Sequence, residues 1–338
     1  NLSNKVRFLD SETLKNQIFR SFFILFKRLS FDQPLVLEFE DFHWADESTI
    51  DLLGHLISMV DEVPIFMLFI SRNPNNCPAS KLRDRLKKDH KEYYTEILVN
   101  PLSKEDILDL ACKKMNLDPM SSHLRGLIHR KCEGNPLYLE ELLRTLHQKK
   151  LIIKNDSTGQ YTIKPLTGKV PIPDTLRGLV ESSIDRLDKD IKDLLRIASV
   201  IGRNFLYSLL AAIEDSSKSL DSNLSILIGE NLIQEKTENS ELAYFFYHDL
   251  IRDAAYETIL LKNKELLHRR VGEAIETIFI DQIERFYGLL SYHFAKASQW
   301  NKAQKYLIKA GDQANRIAGD SEALSHYKKA MSAHEKLF

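Results

Sequence analysis

Apolar residues recur every three to four positions over residues 11–29, at Leu14, Ile18, Phe22, Leu25 and Leu29, which predicts an amphipathic helix. Pro34 then opens Leu35-Val36-Leu37-Glu38-Phe39, a run too short for a helix and mostly apolar. It predicts a strand buried in a parallel sheet, with Glu38 the polar position inside it. Asp46 suits the N-cap of a second helix, Glu47–Val60, whose Ile50, Leu53, Leu56, Ile57 and Val60 share a face. Pro64 starts another apolar run, Ile65–Ile70, ending at Ser71-Arg72-Asn73-Pro74. Helix, strand, helix and strand in this order predict an α/β unit with parallel strands.

The texture changes after Pro101. Ser103 with Asp106 resembles a capping box, and helices are expected near 104–116, 121–132 and 136–150. Residues 151–172 carry β-type runs around Asp156–Gly159 and read as a hairpin and linker. From Pro173 to Leu261 come several helices and then two strand-like runs, Leu232–Lys236 and Leu242–Tyr247, the outline of a winged helix. Residues 262–338 read as helical throughout. Ala303 to Tyr306 and Ala323 to Tyr327 are spaced like the small and aromatic positions of tetratricopeptide-like helical hairpins. The segments expected are thus 1–102, 103–150, 151–172, 173–261 and 262–338.

Composition narrows this outline. The 338 residues are 43% hydrophobic and 28% charged, which excludes wholesale disorder. With 47 Lys and Arg against 48 Asp and Glu, the chain has no global basic footprint for nucleic acid or anionic membrane. Cys77, Cys112 and Cys132 are too scattered for a disulfide framework or a cysteine zinc site, and they suit the reducing cytoplasm. The longest apolar runs fall far short of the roughly 20 residues that span a bilayer.

The chemistry concentrates in Pro34–Asp51, PLVLEFEDFHWADESTID. A strand ending in Glu40 and Asp41 puts carboxylates at the carboxyl edge of a parallel sheet, where ligands bind in open α/β folds. Neighbouring acids on a strand point to opposite sides, so one can hold a hydrated Mg²⁺ while the other orients or deprotonates a water. An acidic pair that merely ends a strand and begins a capped turn needs no ligand. The residues after the pair add to the first reading. Glu40, Asp41, His43, Trp44, Ala45, Asp46 and Ser48 resemble the Walker B region of the STAND-type AAA+ ATPases, regulatory modules fused to cyclases, kinases or helix-turn-helix regulators. The resemblance implies that Glu40 is the Mg²⁺-side acid and Asp41 the catalytic-side acid. It makes Arg72 a sensor of the γ-phosphate. Gly134-Asn135-Pro136, which as a helix end, cap and first turn needs no ligand, resembles the GxP motif of the family's helical lid, where Pro136 would pack near the nucleotide base. His248-Asp249 resembles the motif that touches the diphosphate of ADP in related switches.

The fold class implied is an α/β core fragment of P-loop NTPase type, followed by a mainly α lid, a winged helix and tetratricopeptide-like repeats. Residues 174–260 carry 9 Lys and Arg against 16 Asp and Glu, and the helix expected before the wing, Ser219–Asn231, has neither Lys nor Arg. A recognition helix without cations forgoes the main source of affinity for a phosphate-lined groove, so DNA binding by this element is rejected. No GxxxxGK[ST] occurs, although that loop supplies the cradle for the phosphates. The family carries it upstream of the helix and strand that open this chain, so a fragment is expected. The resemblance implies a switch that binds ATP or ADP with Mg²⁺, hydrolyses ATP slowly, controls a fused effector and takes protein partners on its C-terminal repeats. The alternative is a non-catalytic scaffold with a degenerate ATPase core.

Overall fold

A computed structural model describes residues 10–72, 77–115, 117, 119–156, 158–164, 173, 175–214, 219–238, 241–316 and 319–337. These are mainly helical, with three small sheets. The expected linker stretch 165–172 lies outside the described residues. The chain divides into two compact units, one formed by Asn1–Leu98, Glu284–Ala295 and Trp300–Phe338, the other by Val99–Ile283 and Lys296–Gln299.

In the first unit, α1 (Ser11–Asp32) begins at Asp10, whose carboxylate accepts from the Thr13 N–H at 2.9 Å. Strands β1 (Leu35–Phe39) and β2 (Ile65–Phe69) pair in parallel, with Leu35 opposite Ile65 and Phe39 opposite Phe69. A parallel pair needs a crossover. Here it contains a 3₁₀ turn (Phe42–Trp44), α2 (Glu47–Leu56) and a second 3₁₀ turn (Ile57–Asp61). The helix expected to reach Val60 therefore tightens after Leu56. Leu35, Leu37, Phe39, Ile65, Met67 and Phe69 face one side of the sheet. There Phe42, Leu53, Leu56, Met59 and Leu82 form a core, closed by Phe23 and Phe26 of α1 and by α3 (Pro78–Asp89).

The expectation of a strand buried on both faces needs correction. Val36 and Phe66 are exposed on the other face, and Glu38 lies on that same face, where its charge meets solvent. The polar interruption is thus the ordinary alternation of a strand with one covered side.

In the second unit, α4 (Lys104–Met115), α5 (Ser122–Cys132) and α6 (Pro136–Gln148) follow the expected boundaries closely. Ser103, Ser121 and Asn135 each accept a backbone N–H at the helix starts. Ile107, Leu124, Ile128, Leu139, Leu142 and Leu146 make the core of this helical cluster. The hairpin β3 (Ile152–Lys154) and β4 (Tyr161–Ile163) pairs antiparallel. Next come α7 (Leu176–Asp185), α8 (Lys189–Ile201), β5 (Asn204–Leu206), α9 (Tyr207–Ile213), α10 (Leu220–Gly229), β6 (Ile233–Glu238) and β7 (Glu241–Phe246). Their sheet is antiparallel in the order β5-β7-β6. Helices α11 (Asp249–Glu257) and α12 (Leu261–Ile278) complete the unit.

The C-terminal segment is interrupted rather than helical throughout. A 3₁₀ stretch (Ile280–Phe286) kinks at Gln282, whose φ is −129°. Helices α13 (Tyr287–Lys296), α14 (Trp300–Arg316) and α15 (Asp320–Glu335) follow, the last two packed as a hairpin. Gly311 lies under the Tyr327 ring, where an added side-chain carbon would come within 2.6 Å, and the Tyr327 hydroxyl donates to Asp312 at 2.8 Å. Small and aromatic positions thus meet across this hairpin. No helix among the described residues is long and apolar enough to cross a membrane.

Candidate functional site

The acidic loop is set by where β1 stops. Glu40 follows the strand in the exposed register, while Asp41 adopts the left-handed conformation, with φ 49° and ψ 35°. This differs from the expected pair of acids alternating along one strand: the chain turns at Asp41, so the backbone turn rather than the pleat separates the two carboxylates. Asparagine and aspartate tolerate this region better than most residues. The turn is pinned to the neighbouring strand, because the Ile70 N–H donates to the Phe39 carbonyl and the Phe42 N–H donates to the Ile70 carbonyl, each at 2.9 Å. Phe42 is buried against Phe69, with ring centroids 4.7 Å apart.

Two residues beyond Ile70, the Arg72 N–H points at His43 Nδ1 at 3.5 Å. The Arg72 backbone and the His43 ring therefore meet beyond the carboxyl ends of β1 and β2, in the loop that also carries Glu40 and Asp41. Asp46 then caps α2, accepting from the Thr49 N–H at 2.7 Å. Trp44 is 81% exposed, so it contributes nothing to the core.

The other two motif residues lie in the second unit. Glu133 ends α5 at φ 47° and Gly134 continues at φ 79°, after which Asn135 caps α6 and Pro136 occupies its first turn. The Leu102 N–H donates to the Gly134 carbonyl at 2.9 Å, which seats the Pro101-Leu102 backbone against this turn. His248 occupies the N-cap position of α11, half-buried, with the Tyr247 ring edge-on at 4.6 Å. Burial pushes the His248 imidazole below its ordinary range; Glu140 opposes that shift and Arg144 adds to it. Both charges sit on α6, the helix that Pro136 begins, so that helix acts electrostatically on His248.

Sequence reasoning missed two residues here. Arg203 Nε lies 3.3 Å from Asp249 Oδ1, and Glu140 bears on His248. Arg203 stands in the turn between α8 and β5, and only the pairing of β5 with β7 carries it to the start of α11. Nothing local in the sequence signals that. Among the described residues no group of three or more His, Cys, Asp or Glu is placed to hold a metal ion.

Residues 103–159 match a family described as a domain of unknown function, DUF8739. Over 308 residues the chain is 25% identical to an uncharacterized protein, R02095, of Rhizobium meliloti strain 1021; the match covers 88% of this chain and 28% of that protein. It is also similar to the signal transduction ATPase with numerous domains (STAND) protein with a tetratricopeptide repeat sensor, PH0952, from Pyrococcus horikoshii. That likeness has a TM-score of 0.47 and 16% identity, over 95% of this chain and 52% of the other. The chain thus spans about a quarter of the Rhizobium protein and about half of the Pyrococcus one.

Proposed function

We propose that this chain is part of a nucleotide-operated signalling switch, in which ATP with Mg²⁺ is bound and slowly hydrolysed to control an attached effector. The observation that supports the proposal is that the Glu40–Asp41 loop and the Arg72 backbone both lie beyond the carboxyl ends of two parallel strands, with the Arg72 N–H at His43. A single exposed carboxylate such as Glu40 suits Mg²⁺, which keeps several waters and takes only one or two carboxylates beside the phosphates. The donor set therefore fits the metal side of such a site, while the phosphate cradle GxxxxGK[ST] does not occur in this sequence.

The bound nucleotide would supply a transferable phosphoryl group whose charge the metal partly neutralises. Glu40 would hold the metal through its waters. An Asp41 carboxylate oxygen would orient the attacking water and accept its proton. The Arg72 guanidinium would balance phosphate charge at the end of β2. In the second unit, the Pro136 ring would pack near the base and His248 would give an imidazole N–H to a diphosphate. The helices and sheet from α8 to β7 would form a winged helix without a DNA role, and the C-terminal hairpins would take protein partners.

The test is magnesium-dependent ATP uptake and turnover by the full-length gene product. Asp41→Asn is expected to keep ATP affinity and to lower turnover by roughly 10²–10⁴-fold, the usual weight of a general base. Unchanged turnover removes Asp41 from the mechanism. No magnesium-dependent uptake at all removes the switch and leaves the scaffold reading.

A further inference from the structure

A cationic surface that the switch does not use lies in the first unit, on α14. This helix carries Lys302, Lys305, Lys309 and Arg316 against a single acid, Asp312. At 3.6 residues per turn the four cations fall within about 60° of one another around the axis and run along about 21 Å of the helix. Residues 287–295 of the neighbouring α13 contain no acid. Asp312 itself accepts the Tyr327 hydroxyl of α15 at 2.8 Å. Among the described residues, Lys305, Lys309 and Arg316 enter no ion pair.

Three of these cations lie over a row of aromatic rings. Phe294 of α13 stacks on Tyr306 of α14, with centroids 5.8 Å apart, and Tyr287 of α13 meets the same tyrosine at 6.0 Å. Phe294 and Tyr306 are buried, so the row is a fixed floor between the two helices. Lys302 Nζ stands 4.5 Å from the Phe294 centroid, Lys305 Nζ 5.4 Å from Tyr306, and Lys309 Nζ 5.0 Å from Tyr287. The negative ring faces hold the ammonium groups in line. Rings offset only part of their mutual repulsion, because like charges three and four residues apart destabilise a helix. A matching row of carboxylates would remove that repulsion.

We propose that the α13–α14 hairpin docks an acidic helical segment of a partner protein, with Asp or Glu facing Lys302, Lys305, Lys309 and Arg316. The inference deepens the reading that the C-terminal hairpins take protein partners, and rests on it. The cations are three, four and seven residues apart, and a second helix repeats its side chains at those intervals. Ile308, exposed three residues after Lys305, gives such a segment an apolar contact beside the charges. A nucleic acid fits less well. The chain as a whole has a net charge of −1, so a long phosphate backbone finds no favourable field beyond this short stripe.

Fluorescence anisotropy of a labelled alanine-based peptide, with glutamates at the same three-, four- and seven-residue intervals, tests this on the whole chain. The peptide should bind, and its affinity should fall about tenfold between roughly 0.05 M and 0.5 M salt. Lys305→Glu combined with Lys309→Glu should weaken binding about tenfold or more, with the fold checked by circular dichroism. Methionine at both positions keeps the side-chain stems over the rings and should weaken it less. Lys328→Glu with Lys329→Glu, on α15 outside the stripe, should leave it unchanged. Binding no tighter than that of a peptide with glutamine for glutamate would overturn the docking surface. So would full binding by the Lys305→Glu, Lys309→Glu variant. A DNA oligonucleotide bound more tightly than the peptide, and lost in the same variant, would overturn the acidic partner in favour of nucleic acid. The assay needs no nucleotide, so its failure is distinct from a failure of magnesium-dependent ATP uptake, which tests the switch.

Discussion

Replacing Gly134 by alanine tests why the Gly-Asn-Pro turn has its sequence, independently of any ligand. Two costs add. Gly134 sits at φ 79°, and an L-residue held in left-handed backbone costs about 1–2 kcal/mol. The new Cβ would also lie 2.4 Å from the Leu102 carbonyl oxygen and 2.9 Å from Pro101 Cβ, which real contacts do not tolerate. The backbone of 101–102 must move, and the Leu102 N–H to Gly134 carbonyl bond goes with it, for about 1 kcal/mol more. The sum is about 3 kcal/mol, which in a unit of this size lowers Tm by about 6–12 °C.

Two other glycines separate these costs. Gly159 has φ 68° but open space around its Cβ position, so Gly159→Ala should cost only the backbone part, about 1 kcal/mol. Gly126 lies inside α5 with nothing within 4 Å, and Gly126→Ala should stabilise by about 0.5–1 kcal/mol. Urea or thermal unfolding followed by circular dichroism ranks the three. If Gly134→Ala costs no more than Gly159→Ala, the close approach of the 101–102 backbone is not what selects glycine there.

Two further measurements probe buried titratable groups in the second unit. His268 is 1% exposed, hydrogen-bonded to the Tyr256 hydroxyl at 3.0 Å, and pushed down to about 4 by burial and then by Lys296 and Lys264. Because the unfolded chain takes up this proton near 6.5 and the folded one near 4, stability should rise with pH across that window. The gain is about 3 kcal/mol over the whole window and about 2 kcal/mol between pH 5 and pH 7, and urea midpoints at these two values should converge in His268→Gln; an unchanged slope would exonerate this histidine. Burial pushes the Cys132 thiol up to about 12, so iodoacetamide at pH 8 should label Cys77 and Cys112 in the folded chain and reach Cys132 only on unfolding. Labelling of all three at equal rates would contradict the buried placement.

The elements legible in the sequence are those whose signal is local. Ser103 and Asn135 announce helices that begin within a residue or two of where capping chemistry puts them, and the periodic apolar positions carry the rest. Pro34 and Pro64 bracket the two parallel strands equally well. The missed features depend on partners far along the chain. Strand β5 has three residues and forms only because Asn204–Leu206 pairs with β7, and no three-residue pattern announces that. Glu38 looked anomalous because the apolar residues around it suggested two covered faces, whereas β1 covers one. The acidic pair is legible in the sequence, but the turn at Asp41 is not. Alternation holds only inside a strand, and β1 ends one residue before Glu40.

That last point governs how the acidic loop must be tested. Asp41 carries a side chain at φ 49°, a conformation in which alanine is strained and asparagine is at ease. Asp41→Ala therefore changes two things together: it removes the carboxylate, and it loads the turn that hangs Phe42 on the Ile70 carbonyl. A turnover defect in Asp41→Ala could come from either. Asp41→Asn keeps the side-chain shape and the backbone preference while removing the charge and the proton acceptor. The two variants should then differ in stability by about 0.5–1 kcal/mol and agree in turnover, if the carboxylate does the chemistry. Normal turnover in Asp41→Asn with a defect confined to Asp41→Ala would assign this aspartate to the turn alone. The paired-acid reading would then rest on Glu40.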